Sequence, residues 1–429
     1  MRVTPAPAVL DVPSPEHPAG VGDRRTTFAA VLLVLLAALP ASVLRFWGWS
    51  PGVVTATVLF GVAIVGAAFA LSWAAEAAER DIPRALALTA VALLAVLPEY
   101  AVDIIFAWKA GKDPAFTAYA AANMTGSNRL LLGLGWPAVG LLAWLFHRQR
   151  SVPLDRANVP ALAFLAAATA YSFLLPIRGA ISLMDSAILL ALFIGYAAVT
   201  ARAEQVEPEL VGPAAVIGAL STPWRRLAVG ALLAFAGMSI AMSAEPFADG
   251  LVHTGRSLHI DEFLLVQWLA PLASEAPEFL IAALLARRGK GASALGLLLA
   301  AKVNQWTVLV SSLPIAYSVG SGHLAALPLD TRQAAEVLLT AAQSLFGLSV
   351  LATMSLTLRR SALLAGLFLV QLAMGGVIRV ALGSAGGAMD ELLMFSVCYL
   401  LLAAVFAYRA RATILSVLRK TIRGEQAAS

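Results

Sequence analysis

The chain has 429 residues, 60% of them hydrophobic and only 13% charged, with a net charge of +5 and a mean hydropathy of +0.82. Soluble domains carry about 25% charged residues, so an ordinary soluble protein is excluded, and repeated apolar runs near 20 residues place the chain in a bilayer. Ala and Leu dominate those runs, which favours helices over a barrel of alternating strands, while the single cysteine, Cys398, excludes an intramolecular disulfide and a cysteine-based zinc site.

Residues 1–26 are Pro-rich and polar and are expected to form a disordered cytoplasmic tail. Arg24-Arg25 then precede an apolar run over about 27–46. That run reads either as a signal peptide ending near Ala38-Leu39-Pro40-Ala41 or as a span ending at the interfacial Arg45-Phe46-Trp47, and its length favours the span. Further runs follow at about 52–75, 86–108, 115–145, 158–176, 180–201, 224–244, 262–286, 292–318, 333–357, 361–382 and 391–408, making twelve. The fold expected is an all-α polytopic membrane protein. With the N-terminus inside, alternate loops hold 21 of the 30 lysines and arginines against 7 on the other side. This bias puts both termini in the cytoplasm and suits a plasma (inner) membrane. The linker near 202–223, with Glu204, Glu207 and Glu209, is too short for a domain. The stretch 245–261, with Glu245, Asp249, His253, His259 and Asp261, reads as a hydrated outside loop.

Two Pro-Glu pairs lie deep in apolar segments. Leu97-Pro98-Glu99 is in the third run, with Asp103 one turn on, and Ser274-Glu275-Ala276-Pro277-Glu278 is in the eighth. A charge at the bilayer centre costs at least about 2.5–3.5 kcal/mol, so such residues point to function. Proline removes a backbone donor and kinks the helix, exposing carbonyls as possible ion ligands. After each pair comes Gly-Lys (Gly111-Lys112, Gly289-Lys290) and then a polar stretch. The first is Asn123-Met124-Thr125-Gly126-Ser127-Asn128-Arg129 and the second Lys302-Val303-Asn304-Gln305-Trp306, each running on to a proline, Pro137 or Pro314. Gly126 and its polar neighbours are expected to break their helix. Glu99 and Glu278 sit five spans apart, so their helices cross in opposite directions, the pattern of an inverted repeat with an ion site at the midplane.

These residues resemble the two alpha repeats of the sodium/calcium exchanger family, within the cation/calcium exchanger superfamily. In that family a Leu-Pro-Glu helix is followed by a Gly-Ser-Asn helix, twice. Leu97-Pro98-Glu99 and Gly126-Ser127-Asn128 match the first repeat, and Ala276-Pro277-Glu278 the second, where Lys302 to Trp306 replaces Gly-Ser-Asn. The chain thus looks like a divergent, prokaryotic-type member with a degenerate second repeat. The resemblance implies a five-plus-five inverted core, with repeats over 52–201 and 224–382 and alpha repeats at about 85–146 and 262–318. Extra helices at 27–51 and within 383–429, the latter with a basic tail, would flank it. It also implies a secondary cation antiporter moving Ca2+, Na+ or H+, with Glu99 and Glu278 holding the metal ion as substrate. Ser127 and Asn128 would assist, with Asn304 and Gln305 as their second-half counterparts.

From the residues themselves, Asn123 adds a neutral oxygen. Asp103 and Glu275 share the helical faces of Glu99 and Glu278, and Ser274 adjoins the second pair. Each of these two acids is either a further site carboxylate or the partner of a base. Lys302 and Arg129 either stand in for a transported cation, which would favour sodium/proton or other cation/proton exchange, or pair with Asp103 or Glu275. No Walker loop, dinucleotide fingerprint or Gly-x-Ser-x-Gly motif is present. No cofactor, catalytic group or nucleic-acid partner is therefore expected, only inorganic cations and lipid. A membrane-embedded metal enzyme would need clustered histidines, and His17, His147, His253, His259 and His323 do not form such a set.

Overall fold

The computed structural model describes residues 24–47, 51–81, 97–202, 210, 212–378 and 385–422. The disordered tail expected over the first residues, the part of the third span before Leu97 and the acids of the linker at 204, 207 and 209 fall outside these residues. Helices α1 (Arg24–Trp47) and α2 (Val53–Ala78) precede α3 (Leu97–Ala110). Then α4 (Thr117–Leu130), a π turn (Leu131–Gly135) and α5 (Trp136–His147) form one long segment. Strand β1 (Ser151–Pro153), α6 (Val159–Ser172), α7 (Leu174–Arg178), β2 (Ala180–Ile181) and α8 (Leu183–Thr200) follow. After the short α9 (Pro213–Gly218) come α10 (Thr222–Leu258), α11 (Glu262–Ser274) and α12 (Ala276–Arg287). Next are α13 (Gly291–Asn304), a second π turn (Gln305–Leu309) and α14 (Val310–Ser321). Strand β3 (Leu327–Pro328), α15 (Thr331–Leu351), β4 (Ser355–Thr357), α16 (Leu358–Gly376) and α17 (Ala385–Ile422) end the described chain.

Among the described residues ten helices are long and apolar enough to cross a membrane, and the bent pair α11–α12 makes eleven. The chain is an all-α polytopic membrane protein, as its hydropathy requires. Large apolar side chains such as Leu33, Ile177, Met238 and Leu401 stay exposed on the outside of the bundle, where lipid rather than water is the neighbour. From α2 to α8 and from α10 to α16 the same order of elements occurs twice.

Two short ladders tie these halves together. β1 pairs antiparallel with β4, and β2 with β3. Because α6 and α7 run from β1 to β2 while α15 runs from β3 to β4, the helix of one half lies antiparallel to its counterpart in the other. Helix α15 has 21 residues, so at about 1.5 Å per residue the ladders are separated by roughly the thickness of the hydrocarbon core.

The expected outside loop is absent. Residues 245–258 are not a loop but the end of α10, which runs for 37 residues with Pro246 inside it. Packing explains the continuation. Phe247, Ala248, Leu251 and Val252 are buried at helical spacing, Phe247 lies where a Cβ on Gly61 of α2 would be, and Thr57 and Thr254 share a 3.1 Å hydrogen bond. The charged residues that suggested water occupy the other face. Lys109 of α3 meets Asp249 at 2.6 Å and Glu245 at 3.3 Å. The helix stops at His259, which takes the left-handed conformation (φ 56°).

An ion cluster joins the end of α2 to the start of α10. Arg225 donates from Nε to Asp81 Oδ2 at 2.7 Å and from NH2 to Oδ1 at 2.8 Å, with Arg226 at 3.4 Å. The hydrogen bonds from Arg225 hold the Asp81 carboxyl below its ordinary 3.8. A lowered folded-state value stabilises above the unfolded value and is lost as pH falls through the folded one. Thermal scans of wild type and Asp81→Asn should therefore differ at neutral pH, with wild type more stable, and converge as pH falls below 3.8. Parallel curves at every pH would remove the clamp.

Candidate functional site

The site is built where the helices are irregular. Proline at 277 has no N–H to return to Ala273, and Glu275 departs from helical geometry (φ -94°, ψ 0°). The helix breaks between Ser274 and Ala276 with a 56° bend. Pro277 then stands in the first turn of α12, where a missing donor is harmless, and Glu278 follows in the same turn. Glu278 therefore lies where free N–H groups offset negative charge. Pro98 and Glu99 lie on α3 among its described residues.

The polar stretch of the first half does not break its helix. α4 continues through Gly126 to Leu130. Gly126 is needed for a close approach instead, because a Cβ there would collide with the backbone carbonyl of Gln267 on α11. The irregularity comes one turn later, in the π turn Leu131–Gly135, and recurs after α13 in Gln305–Leu309. Such wide turns loosen the backbone ladder and are common at functional sites.

These breaks surround one small cavity, of about 10 Å³, lined by Glu99, Leu131, Ser274, Glu275, Glu278, Ala301 and Gln305. Three carboxylates, one hydroxyl and one amide thus converge from both halves. Gln305 Nε2 donates to Glu275 Oε1 at 2.9 Å, and Ser274 Oγ donates back to the Ala270 and Pro271 carbonyls. Many of the remaining oxygens are unsatisfied. Glu99 Oε1, Glu275 Oε2, Glu278 Oε2 and Gln305 Oε1 are buried without a hydrogen-bond partner, as are Ser127 Oγ and Asn304 Oδ1 nearby. Buried polar atoms are nearly always paired in folded proteins. A cluster of orphaned oxygens around one cavity is the donor set a hard cation takes.

The other expected residues lie around this centre. Asp103, one turn after Glu99 on α3, and Asn123, one turn before Ser127 on α4, are neighbours, both fully buried, and neither lines the cavity. Asn128 turns its Oδ1 and its backbone carbonyl to Lys302. Arg129 is elsewhere. Its NH1 is 2.8 Å from Glu336 Oε2 on α15, its guanidinium lies 4.8 Å from the Trp268 ring, and Gln267 Nε2 also donates to Glu336 at 3.0 Å. Lys302 lies within electrostatic reach of Glu275 and Glu99, so the two bases singled out together have separate surroundings. Among the described residues no three His, Cys, Asp or Glu side chains come close enough to hold a metal ion together. The cavity carboxylates are spaced around the opening. Sequence reasoning passed over Glu336 and Gln267, although each is a polar group inside an apolar run. It also passed over Glu76 on α2, which lies in the field of Glu278 and receives a 3.3 Å hydrogen bond from Ser72.

A family model described as sodium/calcium exchanger protein matches residues 52–201 and 228–376, well over half of the chain. Among solved structures, the one described as the crystal structure of the H+/Ca2+ exchanger CAX is similar at 41% identity with a TM-score of 0.86. That match covers 94% of this chain and 99% of the other. A structure described as selenium-substituted Ca2+/H+ antiporter protein YfkE matches at 16% identity and a TM-score of 0.56, over 88% of this chain and 100% of its own, and speaks for the fold alone. A comparison with curated proteins finds no match.

The Arg129–Glu336 pair is completely enclosed, and removing one member of such a pair costs about 3–5 kcal/mol because the other charge is left alone. Arg129→Met and Glu336→Leu should each cut thermal stability by that amount in detergent, and the double variant should recover much of it. Additive losses in the double variant would show that the two side chains do not depend on each other.

Proposed function

The chain belongs to the sodium/calcium exchanger protein family, and we propose that within it this protein exchanges calcium ions for protons at the cavity of Glu99, Glu275 and Glu278. Family members are secondary transporters rather than enzymes, and exchange needs no cofactor. The observation that carries the reading is the set of unpartnered carboxylate oxygens around one small cavity. Calcium takes six to eight oxygen ligands. Carboxylates of Glu99, Glu275 and Glu278, the Ser274 hydroxyl and the Gln305 amide offer oxygens of that kind, with Ser127, Asn128, Asn304, Asn123 and Asp103 in the surrounding layer. The 41% identical H+/Ca2+ exchanger supports calcium and protons as the ion pair.

Charge explains the coupling. Several ionised carboxylates in an interior of low dielectric cannot be enclosed without compensation. Either a divalent ion or bound protons supply it, so closure of the cavity is permitted with one or the other but not with neither. The break at Glu275 and the two halves of opposite direction provide elements that can tilt against each other. The repeats proposed are 52–201 and 224–382, with α1 and α17 outside the core.

Purified protein in vesicles carrying a calcium dye and a pH dye should take up calcium when a proton gradient is imposed, with protons moving the other way. Glu99→Gln and Glu278→Gln, which keep size and remove charge, should reduce both signals to background. Normal calcium flux in both variants would falsify the assignment. Calcium movement driven by sodium alone would favour sodium/calcium exchange, and sodium-driven proton movement without calcium would favour a sodium/proton exchanger.

The arginine bias supports cytoplasmic termini in the inner membrane. With Cys398 replaced by alanine, Ser429→Cys should stay unlabelled by an impermeant maleimide in intact cells, and labelling there would reverse the orientation.

A further inference from the structure

Among the described residues Lys302 is the one base in the immediate surroundings of the cavity carboxylates, and its side chain is fully buried in α13. Its Nζ lies 2.8 Å from the backbone carbonyl of Asn128 and 2.7 Å from Asn128 Oδ1. The Asn128 amide is oriented by its own donation to the Met124 carbonyl at 2.9 Å, so Oδ1 is held beside the backbone oxygen. The centroid of the Trp306 ring lies 5.0 Å from the same nitrogen. Beyond the nitrogen, Glu275 and Glu99 supply negative field.

Two neutral carbonyl oxygens held side by side, backed by carboxylates and an aromatic face, are a donor set for a small monovalent cation. Two neutral acceptors alone are poor compensation for a buried ammonium. The nearby glutamates make it tenable, and the same field would draw a free cation to these oxygens. The two partners also come from different halves, with the oxygens from α4 and the charge from α13.

We propose that the Lys302 ammonium is a tethered cation that permanently fills a monovalent-ion subsite made by Asn128, and that this is what excludes sodium from the transport cycle. Lys302 is a specificity-determining residue in this account. While protonated it offsets carboxylate charge near the cavity, so calcium binds without a sodium ion beside it. The inference rests on the exchange reading above, since it concerns the ions that share that cavity.

The test replaces the tether. Lys302→Ala opens the space at Asn128, and Lys302→Gln keeps most of the volume and supplies a further amide oxygen. Thermal unfolding of the purified proteins is measured in sodium and in choline at equal ionic strength, and calcium efflux from vesicles is measured with and without an inward sodium gradient. Wild type should be indifferent to sodium in both assays. The variants should be stabilised by sodium over choline, and their sodium-driven calcium efflux should exceed that of wild type by about tenfold, the change that some 1.4 kcal/mol of added sodium affinity produces. Folded variants as indifferent to sodium as wild type would overturn the proposal. Failure of both variants to assemble would overturn it as well, by giving Lys302 a purely structural role. If wild type moves no calcium, the exchange reading falls by itself, and the sodium-dependent stability of the variants still decides the lysine.

Discussion

The cost of enclosing charge away from water governs this molecule. Its interior holds carboxylates, a lysine and an arginine at depths where an isolated ion is not tolerated. Each must be compensated, and the means divide the interior in two. Around Arg129, Glu336 and Gln267 the compensation is permanent and built from side chains. Around Glu99, Glu275 and Glu278 it is incomplete, with oxygens left facing a cavity. The first region holds α4, α11 and α15 together. The second is where the proposed ions would complete the compensation.

Incomplete compensation requires irregular backbone, and the irregularities are all local. Pro277 stands at the break of one helix, and π turns follow α4 and α13. Non-helical backbone at such depth is tolerated where it is buried in protein or lines a cavity. Close packing holds the breaks in place. Gly126 lets α4 and α11 meet at backbone contact, so the polar face of α4 is brought to the broken end of α11 with no room for slippage.

Much of this could be read from the amino-acid order, and what could not has a common cause. The spans were legible because lipid imposes length and hydropathy on each helix separately. The two Pro-Glu pairs were legible because a charge beside a helix breaker is costly in an apolar run and is kept there only for function. Gly126 was misread as a breaker because a glycine that admits a neighbouring backbone looks the same in sequence. The last turns of α10 were misread as a loop because Glu245, Asp249 and His253 signal water, whereas Phe247 and Leu251 on the opposite face respond to α2. Arg129 and Lys302 looked equivalent and are not. Their partners, Glu336 and Asn128, lie 207 and 174 residues away, and only folding determines which base meets which acceptor.

The two short ladders constrain how the halves can move. β1–β4 holds three residue pairs and β2–β3 two, one ladder at each end of α15. Points joined at opposite membrane faces stay fixed relative to one another while the ladders persist. Rotation of one half about the other then has a single free direction, around the line through both ladders, much as a door turns on an upper and a lower pin. Neither ladder lines the cavity, yet tilting one half against the other across the membrane would require a ladder to give way.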